Sequence, residues 1–165
     1  MSITLKIDER GLREFKGAFE RIMRKMHTLR VPMNAIGSYL VTRSHEHFEK
    51  EESPAGEPWK ALSAKYVARP RNKGGRGGNE HPILLRTGLL MQSISTRADD
   101  KSVAIGTNRK FKGGQSAAAI HQLGGMAGRG HKAQIPARPF LGADETDVHR
   151  IGEILMDYLK NLNRE

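Results

Sequence analysis

The residues with the reach for chemistry are seven histidines, scattered carboxylates and a set of serines and threonines, with no cysteine. Metal binding would need several ligands converging on one point. His45 and His47 are two positions apart, so on a helix of about 3.6 residues per turn they diverge by roughly 200°. His121 has no acid or second histidine at ligand spacing, and His131 sits in a glycine-rich loop. Nucleophilic catalysis would need a hydroxyl activated by a base that a third group holds. No Gly-x-Ser-x-Gly elbow occurs, and residues 101–142 contain no acid to partner His121. A nuclease would want clustered carboxylates for magnesium. Asp99-Asp100 is an adjacent aspartate pair, and it falls where a hairpin turn accounts for it. The residues therefore point to no catalytic site, no metal site and no cofactor.

Charge is the stronger signal. The chain has 165 residues and a net charge of +10. Residues 58–98 hold eight Lys/Arg against Glu80, and residues 101–142 hold seven Lys/Arg and no acid. The first 57 residues are near balance, and residues 143–165 are net negative. A surface this basic suits a nucleic acid backbone, an acidic protein partner, or simple solubility before assembly. The length predicts one domain, 1–165, with enough chain for a core. No apolar run approaches the ~20 residues of a membrane span, and the first residues lack the basic-then-apolar order of a secretion signal. The missing cysteines exclude disulfides and thiolate zinc sites and fit a reducing cytoplasm.

The elements that would position these groups can be read in order. Ile3, Leu5 and Ile7 alternate as in a short strand. Asp8 offers a cap, and Leu12, Phe15, Phe19, Ile22, Met26 and Leu29 recur at helical spacing. Pro32 suits the first turn of a second helix, with a stripe of Met33, Ile36, Leu40, Val41 and Phe48. The two helices form one kinked helix or a helical hairpin. A linker, 51–58, leads to Trp59, read either as a plug at the edge of the core or as an aromatic anchor at a subunit contact.

Residues 69–79 contain four basic residues, four glycines and nothing apolar. They cannot bury surface to offset ordering entropy, so a mobile loop is expected. The glycine spacing fits neither phosphate-binding pattern. Residues 83–90 suggest a short helical turn packed by Leu84, Leu85, Leu89 and Leu90. Ser93–Arg97 and Ser102–Gly106 alternate around a turn and predict a β-hairpin. A second basic loop, 107–116, precedes a short helix, 117–123, that Ser116 is placed to cap. Asp144 starts the last helix, with Glu145 and Asp147 in a first turn whose dipole favours acids. Val148, Ile151, Leu155, Tyr158 and Leu162 form its stripe, widened by Ile154 and Leu159. The fold class is α+β: an antiparallel sheet with the N-terminal long helices and a C-terminal helix packed on one face, plus flexible basic loops.

The stretch 118–142 organises the rest. Pro136 and Pro139 fix φ, remove donors and push Ile135 and Arg138 toward extended geometry. The segment is a stiff arm and not a helix. It either presents Ile135, Arg138, Phe140 and Leu141 to a partner, or is a loop pinned to the core by Phe140 and Leu141.

Four blocks carry a resemblance. They are Pro54-Ala-Gly-Glu-Pro-Trp59 with Leu62; Ile83-Leu-Leu-Arg-Thr-Gly-Leu-Leu90 with Ser93-Ile94; Val103-Ala-Ile-Gly106; and Ile120-His-Gln-Leu-Gly124 through Ile135-Pro-Ala-Arg-Pro-Phe-Leu-Gly142. In this order they resemble the phage virion morphogenesis family, the tail completion proteins of Mu-like and P2-like phages and prophages. The resemblance implies a non-enzymatic assembly protein acting in tail completion or head–tail joining. Its partners would be other tail or head–tail connector proteins and further copies of itself. Its place would be the virion and, during assembly, the host cytoplasm. The candidate partner contacts are Trp59, Arg71, Lys73, Arg76, Lys110, Lys112, Ile135, Arg138 and Phe140. The alternative is a basic nucleic-acid-binding module. It would lack the row of exposed aromatics that single-strand binders use, since Trp59, Tyr66 and Phe111 are the aromatics near the basic loops.

Overall fold

The computed structural model describes residues 29–68, 81–110, 114, 116–128, 130 and 132–162. The expected first strand, the expected helix at 12–29, its relation to Pro32 and the loop 69–79 lie outside these residues. Within them the chain is α+β, with two two-stranded antiparallel sheets.

Helix α1 runs Arg30–Lys50. Pro32 lies in its first turn, where the missing N–H has no helical acceptor to lose. Its buried face is Pro32, Ile36, Gly37, Ser44, His47 and Phe48, so polar and small residues share the work assigned to an apolar stripe. Gly37 is there for space: a Cβ would lie 2.2 Å from Thr96 Oγ1 of the strand crossing it. The helix ends at Glu51, a non-glycine residue at φ 57°. This conformation is uncommon for a side-chain-bearing residue. It is held because the Glu51 carboxylate accepts the Ile83 N–H at 2.5 Å and its carbonyl accepts the Trp59 N–H at 2.7 Å.

A short helix α2 (Ala64–Val67) follows, capped by Ser63. Helix α3 (Leu89–Gln92) starts from Gly88 at φ 65°. Ile83 and Leu90 are the buried residues of this stretch and Leu89 is exposed, so the packing assigned to Leu89 belongs to Ile83. Strand β1 (Ser95–Ala98) pairs with β2 (Val103–Gly106), from Ser95 opposite Gly106 to Ala98 opposite Val103. Asp99 makes the turn. Its carboxylate accepts the Lys101 and Ser102 N–H groups at 2.8 and 2.7 Å, which hold it below its ordinary pKa. Ser116 caps α4 (Ala117–Leu123), accepting the Ala119 N–H at 3.1 Å. Strands β3 (Gly125–Ala127) and β4 (Ala133–Ile135) form a second ribbon on either side of the turn.

Helix α5 (Glu145–Leu162) starts from a reciprocal cap. Asp144 accepts the Asp147 N–H at 2.7 Å and Asp147 accepts the Asp144 N–H at 3.0 Å, a capping box built from two aspartates. Asp147 is also fully buried against α1, where Arg43 Nε and Tyr39 Oη donate to it at 2.6 and 2.7 Å. Arg43 further pairs with Glu46 and with Asp144. Burial alone would weaken the charges on Asp147 and Arg43, but these bonds outweigh it. The carboxyl sits below its usual range and the guanidinium is held more firmly protonated. Burial and the Asp147 bond push Tyr39 up to about 12. Of the residues of α5, Asp147 is the buried one. Val148, read as part of its apolar stripe, is 62% exposed, while Ile151, Ile154, Leu155, Tyr158, Leu159 and Leu162 are half-buried. The buried core cluster is Phe48, Trp59, Ile83, Leu90, Ile94, Ala118 and Phe140.

Candidate functional site

The proline arm is where the sequence concentrates its unusual chemistry, and the structure turns that chemistry inward. An extended segment outside a sheet has no ladder to satisfy its backbone, so side chains must do it. Gln122 of α4 does most of this work. Its Oε1 accepts the N–H groups of Phe140 and Leu141, both at 3.1 Å, and its Nε2 donates to the Leu141 carbonyl at 2.8 Å. Ser44 Oγ of α1 donates to the Phe140 carbonyl at 2.8 Å. Trp59 Nε1 donates to the Pro139 carbonyl at 2.8 Å. The Arg138 N–H donates to the His121 carbonyl at 2.6 Å.

The side chains of the arm fill the core. Phe140 is fully buried, with its ring 5.1 Å from that of Phe48, and Trp59 stands edge-on to Phe48 at 5.6 Å. Arg138, 5% exposed, donates from Nε to the Lys60 carbonyl at 2.9 Å and from Nη2 to the Ala61 carbonyl at 3.3 Å. Burial lowers its pKa, partly offset by the charge of Glu51. Trp59, Arg138 and Phe140, expected either as partner contacts or as parts of the core, are buried within the chain. The free N–H groups of a tryptophan and an arginine found carbonyls within the same chain, and a buried donor without one would cost about 1–3 kcal/mol. Ile135 is half-buried on β4 opposite Gly125. Lys110 is exposed and bridges to Ser116. Arg71, Lys73, Arg76 and Lys112 lie outside the described residues.

The histidines fit the same picture. His45 and His47 both lie on α1, with His45 Nε2 3.2 Å from the Met91 carbonyl and His47 buried. The His121 ring, beside the arm, is pushed down to about 4 by burial and by the Arg138 charge. A cation next to a half-buried imidazole weakens it as a base. Asp99, of the adjacent aspartate pair, is held in the hairpin turn described above.

What the arm leaves open is shape. A groove of about 1010 Å³ lies between the turn 53–60 and the segment 137–148. Pro54, Pro58, Pro139, Leu141 and Val148 give it apolar lining. Glu57 and Glu145, both exposed, line it as well, and Lys60 is the only cation among its described lining residues. The floor is stiff: Pro139 is bonded to Trp59, and a Cβ on Gly142 would lie 2.7 Å from Pro54 Cγ.

The model of the phage virion morphogenesis family matches residues 11–160. The chain belongs to that family. As a family member it is similar to "Mu-like prophage FluMu G protein 2" of Haemophilus influenzae, 30% identical over 158 residues, 96% of this chain and 98% of the relative. It is also similar to "Putative capsid assembly protein G" of Escherichia phage Mu, 31% identical over 153 residues, 90% of this chain and 83% of the relative. No solved structure matches it. Part of each wall, 54–59 and 137–142, falls in blocks that carried the resemblance. Gln122 lies in the first part of the same block as 135–142, although nothing in its spacing announced its role. Ser44 carried no signal at all. Asp147 was legible as a first-turn acid, and its three-residue separation from Asp144 is the pattern of a capping box.

Proposed function

We propose that this family member is a structural assembly protein that acts in tail completion or head–tail joining by docking to other virion proteins and to copies of itself. No bond is made or broken. The observation that carries this reading is the stiff, apolar, acid-lined groove in a chain of net charge +10. A surface prebuilt by internal hydrogen bonds loses little entropy on meeting a partner. The relative from phage Mu bears a name that refers to capsid assembly, which supports a role in particle building. Among the described residues no helix is long and apolar enough to cross a membrane.

The test is genetic. Deleting the gene from an inducible prophage should leave full heads and unjoined or incomplete tails in electron micrographs. Normal infectious particles would sink the reading. The exposed Arg97, Lys101, Arg109 and Lys110 favour the nucleic-acid reading more than any other observation. That reading predicts a shift of duplex DNA at micromolar protein that weakens steeply with salt; no shift at low salt removes it.

A further inference from the structure

Among the described residues, two surfaces complement each other in charge and apolar character. One is the groove, apolar at Pro54, Pro58 and Val148, with exposed Glu57 and Glu145. The other is the β3–β4 ribbon with the end of α4. Here Leu123 is 78% exposed and Met126 48% exposed, and Lys132, the residue before β4, is exposed as well. The ribbon has two strands of three residues, and among the described elements α4 packs beside it. A two-stranded ribbon is marginal in water unless something packs on it. None of the ribbon's residues lines the groove of its own chain.

We propose that the groove receives the Leu123–Met126–Lys132 surface of a second copy of this chain, so that copies join head to tail. This rests on the assembly reading and names the surface that would serve it. The charges choose the geometry. The groove carries Glu57, Asp144 and Glu145 against Lys60 alone, so groove against groove would set a net negative lining against its own kind, which disfavours a twofold contact. Groove against ribbon sets acids against a lysine and apolar lining against two uncovered apolar side chains. Such a contact between unlike patches is heterologous, and it closes into a ring or runs on as a filament.

The test uses the full chain and light scattering across concentrations at low and high salt. The wild type should form species larger than a dimer that weaken with salt. E57K, in the groove, and the double variant L123D/M126D, in the ribbon, should each weaken self-association by about tenfold or more, the scale of losing one anchoring contact. Each variant retains one good surface, so their equimolar mixture should form a 1:1 heterodimer and stop there. V148D and K132E form a second pair at exposed positions, read the same way.

A wild type that is monomeric at every concentration would overturn the proposal. So would variants that assemble like the wild type, or a mixture that stays monomeric while each variant melts like the wild type. A chain that is monomeric alone and joins only added tails would assign the groove to a different virion protein and also overturn it. The gene-deletion phenotype is read separately. Unjoined tails with a monomeric protein reject this contact and keep the assembly role; a ring with normal particles does the reverse.

Discussion

The arm 136–142 and helix α5 invert the usual relation between regularity and burial. The arm has no repeating secondary structure, yet Arg138 and Phe140 are buried and its backbone is bonded to Gln122, Ser44, Trp59 and His121. Helix α5 is regular for 18 residues, and of these Asp147 is the buried one. A helix satisfies its own backbone and can lie on a surface. An extended proline arm cannot, so it persists only where other elements supply its donors and acceptors. Stability should therefore be concentrated in a few side chains around the arm and spread thin along α5.

The largest break in that comparison is Phe140→Ala. Its ring packs on Phe48 at the centre of the core, and removing a buried phenylalanine costs about 3–5 kcal/mol. Denaturant unfolding should show a loss of that size, or no folded protein. A loss below about 1 kcal/mol would mean that the arm is not part of the core. Next is Asp147→Ala, the one residue of α5 that behaves like the arm. It leaves Arg43 and Tyr39 without their shared acceptor and removes one half of the capping box. Breaking a buried ion pair from one side costs about 3–5 kcal/mol. The lower end is expected here, since Arg43 keeps Glu46.

Gln122→Ala sharpens the point about backbone satisfaction. It deletes three hydrogen bonds to the arm, and each buried group left unpaired costs about 1–3 kcal/mol unless water reaches it. Gln122→Glu keeps the acceptor and loses the donor to Leu141, so it should fall between the wild type and Ala in thermal melts.

Acid should loosen the arm before it touches the cap of α5. The His121 pKa falls from its ordinary 6.5 to about 4 in the folded chain, and His47 is also lowered by burial and by the Arg43 charge. Below pH 6.5 the unfolded chain takes up protons that the folded one refuses, so unfolding becomes easier. That loss begins near pH 6.5 and is complete for His121 near pH 4. Asp147, lowered from 3.8, keeps its contribution through this window and gives it up only at more acid pH. Unfolding free energy followed from pH 7.5 to 4 should fall, and His121→Gln should flatten part of the slope. An unchanged slope in that variant would remove His121 as the cause.

These same regions show what was legible beforehand. The hairpin at 95–106, the Ser116 cap and the Asp144 start are local, and local chemistry wrote them plainly. The stiffness of the arm was legible from Pro136 and Pro139. Its direction was not, because Trp59 and Arg138 are fixed by carbonyls about 80 residues away, and no spacing rule reaches that far. The β3–β4 ribbon was hidden because Gly125-Met-Ala127 and Ala133-Gln-Ile135 are too short to alternate. On α1, apolar periodicity passed over Gly37, buried for close approach, Ser44, buried with its hydroxyl on the Phe140 carbonyl, and the buried His47. On α5 the stripe was visible, but amphipathicity says only that a face exists, not which molecule covers it.

The smallest expected effect tests that last distinction. Val148 and Met156 are 62% and 55% exposed, and polar substitutions at exposed positions usually stay within about 0.5 kcal/mol. Val148→Ser and Met156→Ser should therefore melt like the wild type in the isolated chain, where Phe140→Ala does not. The two should then part under assembly conditions. Val148 lines the groove and Met156 does not, so Val148→Ser should weaken association while Met156→Ser leaves it unchanged. If both melt several degrees lower, α5 is covered within the chain itself, and the contrast between a pinned arm and a lightly held helix disappears.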